Sequence, residues 1–362
     1  VGWIVKKADS YLARYRDPNG RERSRSFRTK TAARRFLNDV EAAKDRGNWI
    51  DPAGAKLLFG DWADHHAETW LHLRAATRAR AESLMRNHVL SRFDDCRLGI
   101  ITPVDVQAWV NELIAEGLSA STVHGCYRIF SQVMDSAVTS NLIPVSPCRQ
   151  IALPRLERTE MHFLMPEQIH SLAAACKGYS TLIYSAAYLG LRWGELAGLR
   201  RVRVNLLRQT VEVTEILTDV KGHLAFGPPK TTASRRSVSV PKFLKDMLEE
   251  QLKTRPPGDD ALVFVGRDGA PLRASNFRRR HWKPAVARAR LPEDLRFHDL
   301  RHTAASLLIA QGAHPKEIQS RLGHSSITTT LDRYGHLFPG LDDRLREGLD
   351  VLFRSATEGH ST

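Results

Sequence analysis

Apolar residues change their spacing twice along the chain. Over residues 1–50 they come in short runs: Trp3-Ile4-Val5, Tyr11-Leu12-Ala13-Arg14-Tyr15-Arg16 and Arg25-Ser26-Phe27-Arg28. Such runs predict strands. Asp17-Pro18-Asn19-Gly20 parts the last two and predicts a turn, because Pro presets φ and Gly accepts a positive one. Ala32 to Ala43 then shows helical spacing, with Thr31 as its N-cap and Gly47 as its stop. From 57 to 140 the period stays helical: Trp62, Trp70 and Leu73; then Val104, Val106, Trp109, Val110 and Leu113; then Val123, Tyr127, Phe130, Val133, Met134 and Ala137. Ser119-Ala120-Ser121-Thr122 predicts the cap of the last helix.

Beyond 160 the two periods alternate. Pro166 to Cys176 and Thr181 to Gly190 read as helices, Val211 to Leu217 and Ser237 to Val240 as strands, and Lys242 onward as helices. Asp51-Pro52-Ala53-Gly54 and the proline-rich stretch from Ile143 to Arg158 interrupt the patterns and predict linkers. The predicted fold class is therefore multidomain α+β. A small three-stranded β-sheet plus helix (1–55) precedes an all-α domain (56–152) and a mixed α/β domain (160–355).

Composition fits globular domains: 42% of residues are hydrophobic and 26% charged. No apolar run approaches the roughly 18–20 residues that span a bilayer. Val1 to Arg16 lacks a signal-peptide core, and an initiator Met or short leader is expected ahead of Val1. Cys96, Cys126, Cys148 and Cys176 form no CxxC pair, so neither a zinc site nor a disulfide framework is expected, and the setting is a reducing cytosol.

Charge changes the picture more. The net charge is +14, and it is uneven: +7 over 1–50, −1 over 51–155 and +8 over 156–362. Two basic blocks predict two contacts with a polyanion, because each phosphate neutralised releases a counterion. Solubility or a membrane surface would also use such charge. Arg14, Arg16, Arg21, Arg23, Arg25 and Arg28 crowd one hairpin, as a sheet lying in a DNA groove would require, or as an ordinary wet face would. The middle block contacts DNA only if its few cations, such as Arg74, Arg78, Arg80, Arg86 and Arg128, share one face.

Candidate chemistry gathers in the third block. Its stretches are Gly190-Leu191-Arg192-Trp193-Gly194-Glu195, His298-Asp299-Leu300-Arg301-His302-Thr303, and Leu322-Gly323-His324 through Tyr334-Gly335-His336. Pro228-Pro229-Lys230 and Ser234-Arg235-Arg236 lie between the first two. Taken singly, each has a plainer reading: Arg192 in a salt bridge, Lys230 in a solvated loop, Trp193 and Tyr334 in packing. His302 reads as structural or phosphate-adjacent. His298 and His302 could face a metal, but no third ligand or carboxylate pair accompanies them. On a strand Arg235 and Arg236 point to opposite faces. Taken together, Arg forks for phosphate, a Tyr hydroxyl as nucleophile and His or Lys for protons point to metal-free phosphoryl transfer on a nucleic-acid backbone.

In this order and spacing, the residues resemble the tyrosine recombinases of the phage-integrase family. Their pattern is an Arg at a helix start, a Lys on a β-hairpin, an HxxR helix, an LGH motif and a Tyr shortly after. Arg192, Lys230, His298 with Arg301, His324 and Tyr334 match it across residues 160–340. The helical block resembles the family's core-binding (SAM-like) domain, and the basic N-terminal unit its arm-type DNA-binding domain. The resemblance implies that Tyr334 attacks the scissile phosphate, forming a 3′-phosphotyrosyl link and freeing a 5′-hydroxyl. Arg192 and Arg301 would clamp the non-bridging oxygens, Lys230 would protonate the leaving oxygen, His298 would take the tyrosine proton, and His324 would hydrogen-bond the phosphate. Glu195 would support the site. No metal and no cofactor is implied.

The same resemblance implies double-stranded attachment-site DNA of core and arm types as substrate. It implies a homotetramer working through a Holliday junction, with an excisionase and a host DNA-bending protein as partners. The place of action would be the bacterial host cytoplasm, at the nucleoid. Exchange of C-terminal segments would dock Phe338 to Phe353, with Leu345, Leu349, Val351, Leu352 and Phe353, on a neighbouring subunit. Alternatives are a chromosome-dimer or transposon-type recombinase, a single-tyrosine topoisomerase, or an inactive DNA-binding homologue. The basic block 1–50 favours the integrase, and the complete set through Tyr334 argues against inactivity.

Overall fold

A computed structural model describes residues 2–18, 20–46, 49–51, 53–157, 160–229, 231–338 and 341–358, with backbone alone for 341–345 and 355–358. The predicted helix stop at Gly47, the Lys230 site and the Leu345 side chain lie outside the described residues. The chain separates into two compact units, Val1–Arg158 and Thr159–Thr362.

The first unit opens with an antiparallel sheet of β1 (Trp3–Lys7), β2 (Ser10–Arg16) and β3 (Glu22–Phe27), backed by α1 (Lys30–Asp45). The cap of α1 is Thr29, not Thr31. Its extended backbone lets the hydroxyl accept from the Ala32 N–H at 3.2 Å, while Thr31 already lies in the first turn. Ala13 and Tyr15 pack on Ala33, Leu37 and Val40 of the helix. Opposed residues of an antiparallel pair share a face. Arg25, opposite Ala13, and Arg23, opposite Tyr15, therefore turn to the helix side. Arg25 sits over the Phe27 and Phe36 rings, and Arg23 pairs with Asp17 and Asp51. Arg14 and Arg16 take the open face with Trp3, where Arg14 pairs with Glu22. The arginines thus do not crowd one face, because the strand period divides them.

The rest of this unit is helical: α2 (Phe59–Glu68), α3 (Ala75–Leu84), a widened turn over Met85–Val89, α4 (Leu90–Phe93), α5 (Pro103–Ala115) and α6 (Ala120–Thr139). A Thr102–Asp105 capping box starts α5, and the Ser119 hydroxyl accepts from Thr122 to start α6. Phe59, Phe93, Trp109 and Phe130 stack at its centre with centroids 4.6–6.0 Å apart. The apolar stripes are core, Val104 excepted: it is 77% exposed.

In the second unit, α7 (Pro166–Ala175), α8 (Ser180–Leu189) and α9 (Trp193–Ala197) precede two small sheets. One joins β4 (Val204–Asn205), β5 (Thr210–Val213) and β8 (Arg236–Ser239); the other is the hairpin β6 (Ile216–Val220) and β7 (His223–Gly227). The single strand predicted over Val211–Leu217 is therefore two strands in different sheets. Alternation runs through the junction and carries no sign of the change of partner. Lys221 and Gly222, both at positive φ, make the hairpin turn. Then come α10 (Lys242–Lys253), α11 (Ala274–Phe277), a widened turn over Arg278–Trp282, α12 (Lys283–Arg288), α13 (Asp299–Ala310), α14 (Pro315–Leu322), α15 (Ile327–Tyr334) and α16 (Leu341–Glu358). The main core lies between α7, α8, β5, β8 and α10, and α13 packs along α8. No described helix is long and apolar enough to cross a membrane.

Candidate active site

Two glycines bring the three polar motifs together. Gly190 ends α8 at φ +66°, where a Cβ would strike Leu322. Gly323 ends α14 at φ +66°, where a Cβ would press on the Ala233 carbonyl oxygen and Arg236, each at 3.1 Å. Both positions need the left-handed backbone and the missing side chain.

Arg192 caps α9. Its backbone N–H donates to Glu195 Oε2 and its Nη1 to Oε1, both at 2.9 Å, and its Nη2 donates to the Gly323 carbonyl at 3.3 Å. Glu195 is buried, and Arg236 forks onto the same carboxylate at 3.1 and 2.9 Å. Burial alone would raise the Glu195 pKa, but the hydrogen bonds and charge of Arg236, then of Arg192, hold it below the usual range. Arg236 Nε also donates to the Arg321 carbonyl at 2.7 Å, tying β8 to α14.

Arg301 lies inside α13, 3% exposed, and donates from Nη1 to the Gly190 carbonyl at 2.6 Å and from Nη2 to the Leu322 carbonyl. Burial, then Arg192, lowers its pKa to about 9, which leaves it charged at neutral pH. Beneath it, the Asp299 carboxylate accepts from the Arg296 backbone N–H at 2.7 Å, and the Thr303 hydroxyl accepts from the Leu164 N–H at 3.1 Å.

The Tyr334 side chain is 1% exposed, and its hydroxyl lies 2.8 Å from His302 Nδ1. His324 stacks near the Tyr334 ring, and its Nδ1 meets the Thr330 hydroxyl at 2.9 Å. His298 lies edge-on to His302, with centroids 5.0 Å apart. All three imidazoles are kept neutral. Desolvation by its neighbours, then Arg301, lowers His298 to about 4, although the residue is exposed at the surface. Burial, then His298, lowers His302 to about 4. Burial, then Arg301, lowers His324 to about 3. Burial raises the Tyr334 pKa, while Arg301, Arg333 and Arg192 pull it down.

The structure thus gathers Arg192, Glu195, His298, Arg301, His324 and Tyr334 of the predicted site. The imidazole on the tyrosine hydroxyl belongs to His302 instead of His298. Of the neighbours Arg235 and Arg236, between which the strand alternation alone did not choose, Arg236 is the one turned inward and Arg235 is exposed.

Family models add a decisive observation. Residues 162–340 match the model described as phage integrase family, and 59–114 the one described as phage integrase, N-terminal SAM-like domain. A prophage phiRv2 integrase of Mycobacterium tuberculosis strain H37Rv is 32% identical over 354 residues, covering 94% of this chain and 92% of the relative. This chain belongs to the phage integrase family. Among other family members, the integrase of Mycobacterium phage D29 is 27% identical over 83% of both chains. The fold is shared with the Tn1549 transposon integrase solved in complex with a circular intermediate DNA (TM-score 0.70, 22% identity, 82% of this chain and 99% of that one). It is also shared with the lambda integrase tetramer solved on a Holliday junction (TM-score 0.61, 18% identity, 91% and 93%).

Proposed function

We propose that this tyrosine recombinase cleaves and rejoins DNA strands with Tyr334 as nucleophile, integrating phage or other mobile-element DNA. One observation carries the assignment: the Tyr334 hydroxyl rests on a neutral imidazole, in a cluster that also holds two charged arginines. In the reaction, Tyr334 Oη bonds to phosphorus, its proton passes to His302 Nδ1, and the 5′-oxygen leaves. Arg192 and Arg301 each keep guanidinium N–H groups beyond those already bonded, and these stabilise the charge that grows on the non-bridging oxygens. His298 and His324, uncharged, hydrogen-bond the phosphate, and Lys230 protonates the leaving oxygen. Attack on a duplex requires α15 to present a hydroxyl that is now buried.

The wider reading assigns 1–55 to arm-type sites, 56–152 to core-type DNA, and 160–355 to catalysis. A homotetramer acts on two attachment sites in the bacterial host cytoplasm at the nucleoid, with an excisionase and a host DNA-bending protein as partners. Leu349, Val351, Leu352 and Phe353 of α16 are each more than 60% exposed, which suits docking on a second subunit. The test is a nicked suicide duplex. Tyr334→Phe is expected to bind it with near-normal affinity and to form no covalent adduct; an adduct in that variant would remove Tyr334 from the role.

A further inference from the structure

A second cationic cavity lies in the same unit and shares no side chain with the Arg192–Tyr334 cluster. It is a cleft of about 660 Å³ walled by Lys177, Arg267, Arg273, Arg280 and Arg288, with Asp268 as its one acid. Most of its neutralising partners are spoken for. Asp219 holds Arg273 at 2.8 Å, Arg288 donates to the Ala175 carbonyl at 2.7 Å, and the Asp268 carboxylate turns back to accept its own loop's Ala270 N–H at 3.1 Å. Among the described residues, Lys177, Arg267 and Arg280 have no carboxylate partner, and all three are exposed.

The cleft is also built rather than incidental. Its floor is Tyr179, packed against Phe277 at 5.2 Å and His281 at 4.7 Å between ring centroids. Arg280 and His281 sit on the widened helical turn Arg278–Trp282, a backbone feature that costs hydrogen-bond regularity and is frequent at functional sites. Burial, then the charges of Arg267 and Arg280, pushes the His281 pKa below its ordinary value, so the positive potential reaches into the cleft. Like charges gathered around one concavity repel each other until an anion enters.

We propose that this cleft is a phosphate-binding site, and that Arg267 and Arg280 grip the backbone of duplex DNA there, away from the scissile phosphate. Guanidinium forks suit phosphate oxygens, and sequence-independent backbone grip positions a protein without reading bases.

The test uses the full chain, an Arg267→Ala/Arg280→Ala double variant and the corresponding double Lys variant. A fluorescent duplex of arbitrary sequence is titrated over a range of salt. The double Ala variant should lower the slope of log affinity against log salt by about 1–2, since each lost phosphate contact removes about 0.9, and the Lys variant should restore it. In parallel, inorganic pyrophosphate is titrated while the labelled His281 ring is followed by NMR; its pKa should rise in the wild type and not in the double Ala variant. A His281 response without a slope change would keep the phosphate site and assign it to a free phosphate-bearing ligand. No response in either arm overturns the proposal. Covalent trapping through Tyr334 at saturating DNA is expected in all three proteins, so failure here is distinguishable from failure of the cleavage assignment.

Discussion

Glu195 holds two guanidinium groups with one carboxylate and almost no solvent. Removing Arg236 leaves the buried carboxylate paired with Arg192 alone and takes away two charge-assisted hydrogen bonds, each worth on the order of 1.5–3 kcal/mol. Arg236→Ala should therefore destabilise the second unit. It should also slow adduct formation on the order of 100-fold through misplacement of Arg192, with DNA affinity little changed. Arg236→Lys should not rescue the rate, because an ammonium cannot fork. A single-turnover trapping rate set beside a binding isotherm separates the two effects. His298, His302 and His324 share a second property: their folded pKa values lie below the ordinary histidine value, at about 4, 4 and 3. Below about pH 6.5 the unfolded chain takes up protons that the folded site refuses, so stability should fall as pH drops from about 6.5 toward 4. Thermal midpoints across that window measure it, and His302→Gln should flatten the curve. If His302 takes the tyrosine proton, the same variant should slow trapping at every pH without weakening binding.

At the scale of elements, the site depends on three helix ends meeting. Gly323→Ala should cost more than the roughly 1 kcal/mol of a left-handed alanine, since the new methyl also meets Ala233 and Arg236. Chemical denaturation checks the stability, and the trapping rate checks whether His324 and Arg192 shift with the loop. Helices were legible because their apolar stripes are long and periodic: Val106, Trp109, Val110 and Leu113 are all buried. Boundaries were less so. Thr29 and Thr31 are both capping residues by type, and only the backbone turn at Thr29 decides between them. The division of Val211–Leu217 between two sheets depends on distant partners, Arg236–Ser239 for one half and His223–Gly227 for the other. Local pattern cannot report a partner.

For the whole molecule, charge totals located two basic blocks but not their faces. Pairing to Glu22, Asp17 and Asp51 uses up Arg14 and Arg23, and Arg25 lies over rings. Arg16, Arg21 and Arg28 remain exposed, which suits the proposed arm-site contact. Deleting residues 1–55 should spare cleavage of core-type sites and weaken recombination of complete attachment sites, read in an assay with paired supercoiled and linear substrates. The polar motifs that meet at the candidate site were legible in order and spacing. What the sequence could not show is which imidazole reaches the tyrosine, since His298 and His302 sit one helical turn apart and only the seating of Tyr334 against α13 chooses between them. The claim on which the rest depends is that the covalent link forms at Tyr334. Trapped wild-type adduct, digested with protease and nuclease, should yield one nucleotide-bearing peptide whose modified residue, by mass spectrometry, is Tyr334; a nucleotide on any other residue would contradict it.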